Sequence, residues 1–247
     1  MSVNRLRVAV TRDDKGEDSV FTAVEKAGFI AVSVPVLIEG AAPDARKLTS
    51  VARELESFDW IICASQRAVR AITQARGSQW PKRPRTAAVG PVTADAMRQA
   101  GASDPIVAER FTAKAVWEKL QPLDAWRDRR VLVTTVAGGR RDVIDGLRSQ
   151  GADVTELEAY SMHPRALDDI RHDWASARPD AVILGSAETA RRLVDALGVA
   201  TLHDLKAIVP IGPTTAEVLS VMGINAEPPA KATFAAAVEK LQSLLTS

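Results

Sequence analysis

Arg7-Val8-Ala9-Val10-Thr11 near the start of the chain is answered by Arg130-Val131-Leu132-Val133-Thr134 in its middle, and this echo decides the fold. Each is a short run rich in β-branched residues, followed by a stretch of helical period that stops at a glycine, Gly28 or Gly151. The match continues at offsets of 121 to 123 residues: Asp59-Trp60-Ile61-Ile62-Cys63-Ala64-Ser65 is answered by Asp180-Ala181-Val182-Ile183-Leu184-Gly185-Ser186. Val89-Gly90-Pro91-Val92-Thr93-Ala94 is answered by Ile211-Gly212-Pro213-Thr214-Thr215-Ala216, Gly101 by Gly223, and Glu118-Lys119-Leu120 by Glu239-Lys240-Leu241. The chain is a duplicated unit.

Strand signals centred near Val8, Val32, Ile61, Ala88, Ile106, Val131, Val154, Ile183, Ile208 and Ala226 alternate with amphipathic stretches, which argues for parallel sheets covered by helices. About ten strands are too many for one small sheet, so the expectation is an α/β protein with two doubly wound, flavodoxin-like sheets of about five strands each, and a cleft between two lobes. Residues 35–43 and 160–164, rich in Pro and Gly, are the candidate crossovers. The repeat alone leaves open whether each copy forms one lobe or the copies exchange their first strands.

With 247 residues and 46% apolar side chains, the chain can bury a core without staples. Cys63 is the only cysteine and lies in an apolar run, so it reads as a small buried side chain. The reading is of a cytoplasmic protein, for no signal-peptide core and no 18-residue apolar stretch occurs. A net charge of +1 gives no field favouring nucleic acid or an anionic membrane, so an acidic ligand must be recognised locally.

The paired Gly-Pro-x-Thr-Ala segments follow strands and open helices, where free N–H groups and the helix dipole suit carboxylates or phosphates. This makes Gly90, Thr93, Gly212, Thr214 and Thr215 candidate binding residues, against the simpler reading that Thr93 and Thr215 cap their helices. Ser65 and Ser186 end buried strands and read first as caps; neither lies in a nucleophile elbow. His163, His172 and His203 have no metal-ligand spacing, so no metal is expected. The Gly138-Gly139-Arg140 turn is neither a dinucleotide fingerprint nor a Walker loop.

Differences between the copies are more telling than matches, because folding explains the matches. Tyr160, the only tyrosine, stands opposite Leu37; Arg12 stands opposite Thr135, and Arg140 opposite Glu17. The phenol is kept in one crossover only, and each arginine places a guanidinium near the carboxyl end of a strand in one copy only, although a half-buried aromatic or a solvated charge would look the same in sequence.

Taken in order and spacing, Val10-Thr11-Arg12, Asp59-Trp60 to Ser65, Val89-Gly90 with Thr93-Ala94, Gly139-Arg140, Tyr160, Ser186 and Ile211 to Ala216 resemble the uroporphyrinogen-III synthase family over essentially the whole chain. The resemblance implies two α/β domains joined by a two-stranded connection, one from residues 1–36 and 165–247, the other from 42–157, with 37–41 and 158–164 crossing between them. It implies cofactor-free conversion of hydroxymethylbilane, a linear tetrapyrrole bearing eight carboxylates, to uroporphyrinogen III, by a monomer that acts without nucleic acid or membrane. By the same match Tyr160 is the candidate proton donor, and Arg12, Ser65, Gly90, Thr93, Arg140, Ser186, Gly212, Thr214 and Thr215 are the candidate substrate-binding residues. Ser65 and Ser186 are followed by Gln66-Arg67 and Ala187-Glu188, where many members have a small residue or proline with asparagine or serine. The rival readings are a two-lobed small-molecule binding or sensor protein without chemistry, and a nucleotide-using transferase, against which the absent Gly-rich fingerprint speaks.

Overall fold

Asp59 and Asp180, matched across the repeat, each clamp an arginine that opens a strand of the other copy. Asp59 accepts the Arg130 N–H at 2.9 Å, and Asp180 accepts the Arg7 N–H at 2.9 Å. Each aspartate also donates its own N–H back, to the carbonyl of Arg130 or of Arg7. These reciprocal pairs fix the register in which the copies combine, in a computed structural model that describes residues 5–12, 20–109, 112–137 and 139–246.

In chain order the first elements are β1 (Arg7–Val10), α1 (Val20–Lys26), β2 (Ile30–Ser33) and β3 (Leu37–Gly40). Then follow α2 (Ala45–Arg53), β4 (Trp60–Cys63), α3 (Gln66–Arg76), β5 (Arg85–Ala88), α4 (Pro91–Gln99), β6 (Ile106–Val107) and α5 (Ala113–Leu120). The second copy supplies β7 (Arg130–Thr135), α6 (Asp142–Ser149), β8 (Asp153–Glu158), β9 (Ser161–Pro164) and α7 (Leu167–Ala177). It ends with β10 (Ala181–Leu184), α8 (Ala187–Leu197), α9 (Val199–His203), β11 (Ala207–Pro210), α10 (Pro213–Val221) and α11 (Phe234–Thr246).

The chain divides into one unit running up to Ile38 and from His163 onward, and a second from Glu39 to Met162. The first unit has a parallel sheet in the order β11-β10-β1-β2, the second a parallel sheet in the order β6-β5-β4-β7-β8. Each sheet therefore joins the first two strands of one copy to later strands of the other. The chain leaves the first unit in β3 and returns in β9, which pair with each other as a separate two-stranded sheet. The segments rich in Pro and Gly thus contain strands that residue patterning did not reveal.

Both sheets are covered on both faces, as near-continuous apolar strands require. In β4, Ile61 and Cys63 enter one core cluster while Trp60 and Ile62 enter another, following the two-residue alternation of a strand. In the first unit Val182 and Leu184 face one cluster, and Val8, Val10, Ala181 and Ile183 the other. A fully buried isoleucine or leucine at such a position contributes about 1.5–3 kcal/mol. Gly28 and Gly151 close the helices after the first strands of the two copies at φ of 92° and 85°, a left-handed turn that other residues adopt at a cost.

The expected strand near Ala226 is not formed, so the parallel sheet of the first unit has four strands among the described residues where five were expected. Its counterpart β6 pairs with β5 through Ile106 and Val107. At an offset of 122 those two positions become Pro228 and Pro229, which have no N–H to give a ladder.

Candidate active site

In a parallel sheet all the carboxyl ends lie along one edge, and loops diverge where the strand order reverses, leaving room for a ligand. In the first unit that reversal falls between β10 and β1, so the loop bearing Gly185 and Ser186 flanks Arg12. In the second it falls between β4 and β7, so Ser65 flanks the turn that carries Gly139 and Arg140. Gly138 of that turn and Glu17, the counterpart of Arg140, lie outside the described residues.

Both serines cap helices. Ser65 Oγ accepts the Ala68 N–H at 3.3 Å at the start of α3, and Ser186 Oγ accepts the Thr189 N–H at 3.1 Å at the start of α8. Their second partners differ. The Ser65 hydroxyl donates to the phenol oxygen of Tyr160 at 3.1 Å, whereas Ser186 pairs with the Thr189 hydroxyl at 2.8 Å. Tyr160 lies between β8 and β9, is 8% exposed, and packs in the cluster that includes Cys63, Ala68, Val69 and Ala159.

Thr93 and Thr215 do not cap. The caps of α4 and α10 are Gly90 and Gly212, because Pro91 and Pro213 take the first helical position and push each threonine into the helix. Thr93 and Thr215 are 6% and 3% exposed, yet their hydroxyls make no hydrogen bond to the described residues and are not sealed from solvent. Pro91 and Pro213 have no N–H and the Thr215 N–H is taken by the Gly212 carbonyl at 3.1 Å, which leaves the first-turn N–H groups of Val92, Thr93 and Thr214 without intrahelical acceptors. Each such loop thus offers several donors and no competing carboxylate. Thr214 is exposed, and its counterpart in the other copy is the exposed Val92.

Arg12 lies over the Phe234 ring, 4.9 Å from its centroid, and both residues approach Gly185, where a Cβ would stand 3.0 Å from the ring. Phe234 was not evident from sequence, since it opens a helix 222 residues from Arg12. Arg140 is exposed, with no hydrogen bond or ion pair to the described residues, while its neighbour Arg141 is held by Glu156 at 2.9 Å. Sequence reading also passed over the threonines that end the repeated first strands. Thr134 Oγ1 accepts the Ala64 N–H at 3.0 Å and so ties the Ser65 loop to β7, whereas Thr11 Oγ1 donates to the Ile183 carbonyl at 3.1 Å, within β10.

Cys63 is fully buried, and burial pushes its thiol up to about 12 against a smaller opposing effect of the Thr134 hydrogen bond. It stays protonated at neutral pH, unlike a reactive cysteine. Among the described residues no three His, Cys, Asp or Glu side chains are grouped to hold a metal ion. Nor is any described helix long and apolar enough to cross a membrane.

The family model described as "Uroporphyrinogen-III synthase HemD" matches residues 18–239. The chain belongs to the uroporphyrinogen-III synthase family. It is 29% identical over 222 residues to the uroporphyrinogen-III synthase of Synechococcus elongatus, a match covering 85% of this chain and 84% of that one. The fold is that of the solved uroporphyrinogen-III synthetase from Helicobacter pylori, with a TM-score of 0.66 at 15% identity over 97% of this chain and 99% of that one. A mutant uroporphyrinogen III synthase from Thermus thermophilus gives 0.59 at 18% identity over 98% and 99%.

Proposed function

We propose that the chain closes hydroxymethylbilane into uroporphyrinogen III with release of water, drawing on no cofactor. Membership of the uroporphyrinogen-III synthase family makes it a cyclising lyase of tetrapyrrole biosynthesis, and the match over residues 18–239 is the observation that carries this reading. The same proposal has it act as a cytoplasmic monomer on a small molecule, without nucleic acid or membrane.

In the proposed reaction Tyr160 donates its phenol proton to the terminal hydroxyl of the substrate. The C–O bond breaks, its electron pair leaves with the oxygen as water, and a resonance-stabilised azafulvene cation remains. The far pyrrole attacks that carbon through its already substituted position, giving a spiro intermediate whose fragmentation and reclosure invert the last ring. Loss of one proton from ring carbon balances the proton delivered at the start. A hydroxyl departing toward a stabilised cation needs only modest help from an acid, which suits a phenol. Support for the role comes from the hydrogen bonding of Tyr160: its oxygen accepts from Ser65, and its own proton has no acceptor among the described residues.

The eight carboxylates of the substrate need donors more than charge. The proposal assigns them to the helix starts at Ser65, Gly90, Ser186 and Gly212, to the hydroxyls of Thr93, Thr214 and Thr215, and to Arg12 and Arg140. Held this way, the chain reaches the inverting geometry, whereas the free substrate closes unaided to the uninverted isomer. Purified protein added to freshly generated hydroxymethylbilane, with oxidation and separation of the uroporphyrin isomers, is expected to give isomer III in catalytic excess. Only isomer I from folded protein would leave a binding protein in place of the enzyme.

A further inference from the structure

Ser65 and Ser186 occupy the same point of the repeat and cap helices in the same way, but only Ser65 reaches a partner distant in sequence, 95 residues away. In the other copy the position of Ala68 is taken by Thr189, whose hydroxyl satisfies Ser186 locally. The bond to Tyr160 is therefore not a requirement of capping. It is specific to the copy that carries the tyrosine.

A serine hydroxyl has one proton to give. At Ser65 that proton goes to the phenol oxygen, and the Ala68 N–H occupies the serine oxygen from the other side. The phenol is thus an acceptor toward the protein, and its own O–H is left for a group that the described residues do not supply. Ser65 has little freedom to do otherwise. Its backbone is extended at φ −153°, ψ 153°, and its loop is tied to β7 by the bond from the Ala64 N–H to Thr134. The helix it opens is held to β3 by Arg67 and Arg70, which meet Glu39 at 2.8 and 2.7 Å.

We propose that Ser65 is a positioning residue that turns the Tyr160 proton toward the substrate and stabilises the negative charge left on the phenol oxygen as that proton departs. This rests on the reading of Tyr160 as proton donor. The step moves one proton, from Tyr160 to the leaving hydroxyl; the Ser65 proton stays on Ser65 and its hydrogen bond shortens onto a charged oxygen. Ser65 then contributes its side chain to turnover, and only the N–H groups of its loop to carboxylate binding.

Steady-state kinetics of isomer III formation test this. Ser65→Ala is expected to lower kcat about tenfold with KM unchanged, the scale of a hydrogen bond to a charged group. Ser65→Thr, which keeps the hydroxyl, is expected to recover most of that loss. Ser65→Gly keeps a good helix start with little loss of stability, so it repeats the measurement should Ser65→Ala fold poorly. In a Tyr160→Phe background, removing the Ser65 hydroxyl is expected to change kcat by less than about twofold, because its target is gone. A raised KM at unchanged kcat would make Ser65 a carboxylate ligand and overturn the proposal, as would a full tenfold loss in the Tyr160→Phe background. Full turnover by Tyr160→Phe alone would remove the acid reading and this inference together, while isomer III formation by the unaltered protein would still stand.

Discussion

The helices that follow the first strand of each copy pack against the last helix of the other copy with different distributions of volume. In the second unit Gly146 of α6 receives the Trp117 ring of α5, and a Cβ there would lie 2.3 Å from the indole. In the first unit the matched positions are Ala23 of α1 and Val238 of α11, which share one core cluster. One pair is the smallest residue against the largest, the other an alanine against a valine, and the same architecture accommodates both. Duplication thus preserved the helix contact while each side of it drifted to match its partner, which is how close packing constrains change. The serines show the other outcome: the cap was kept in both copies, and the second hydrogen bond was redirected in one.

Variants that force the copies to differ further, or to agree, test how deep the likeness goes. The largest expected effect is in the feature that has no counterpart: Tyr160→Phe is expected to lower turnover about 100-fold without abolishing it, at the modest end for a general acid. Next come the matched hydroxyls. Thr93→Ala and Thr215→Ala are each expected to raise KM about tenfold, as for one lost hydrogen bond to a carboxylate; a silent partner in this pair would break the functional symmetry of the two helix starts. In stability, Gly146→Ala is expected to cost about 1–3 kcal/mol through overpacking. Trp117→Val in the same chain, which recreates the pairing of the first unit, should return most of it in a denaturant titration. Ser186→Ala should cost about 1 kcal/mol as a lost cap, read from the thermal midpoint.

The smallest effect separates the two aspartate clamps. Burial raises the Asp180 carboxyl, but the Arg7 N–H and Lys206, 2.9 Å away, outweigh it and hold the group below the usual carboxylate range. Because the folded state binds its proton less tightly than the unfolded chain, this stabilisation is present above about pH 4 and is lost as the pH falls through that value and below. Partial exposure keeps it under about 1 kcal/mol. Asp180→Asn should therefore flatten the stability profile between about pH 5 and pH 3. In the other copy the position of Lys206 is taken by Arg85, which lies over the Trp60 ring at 4.2 Å.

Most of the architecture was legible because it repeats: the strand cores, the serine caps and the glycine turns each occur twice at one offset. The strand expected at Ala226 failed where the copies stop agreeing, at Pro228 and Pro229, and the prolines themselves carried the warning. The simpler reading of Thr93 and Thr215 as caps fails, and Pro91 and Pro213, suited to a first helical position, already point to the preceding glycine as the cap. The contact of Ser65 with Tyr160, the stacking of Arg12 on Phe234 and the fit of Gly146 to Trp117 left no local trace. Each depends on segments that only the fold brings together.

The strand exchange also sets an order of events on the ribosome. Every strand of the second unit lies in one continuous stretch, so its sheet is complete once β8 has emerged. β1 must wait for β10, since Arg7 and Asp180 are separated by 173 residues. At about 5–20 residues per second, that interval is roughly 9–35 seconds. Throughout it the nascent chain carries an apolar strand with one edge unpaired, and the first sheet is complete only once β11 has followed β10.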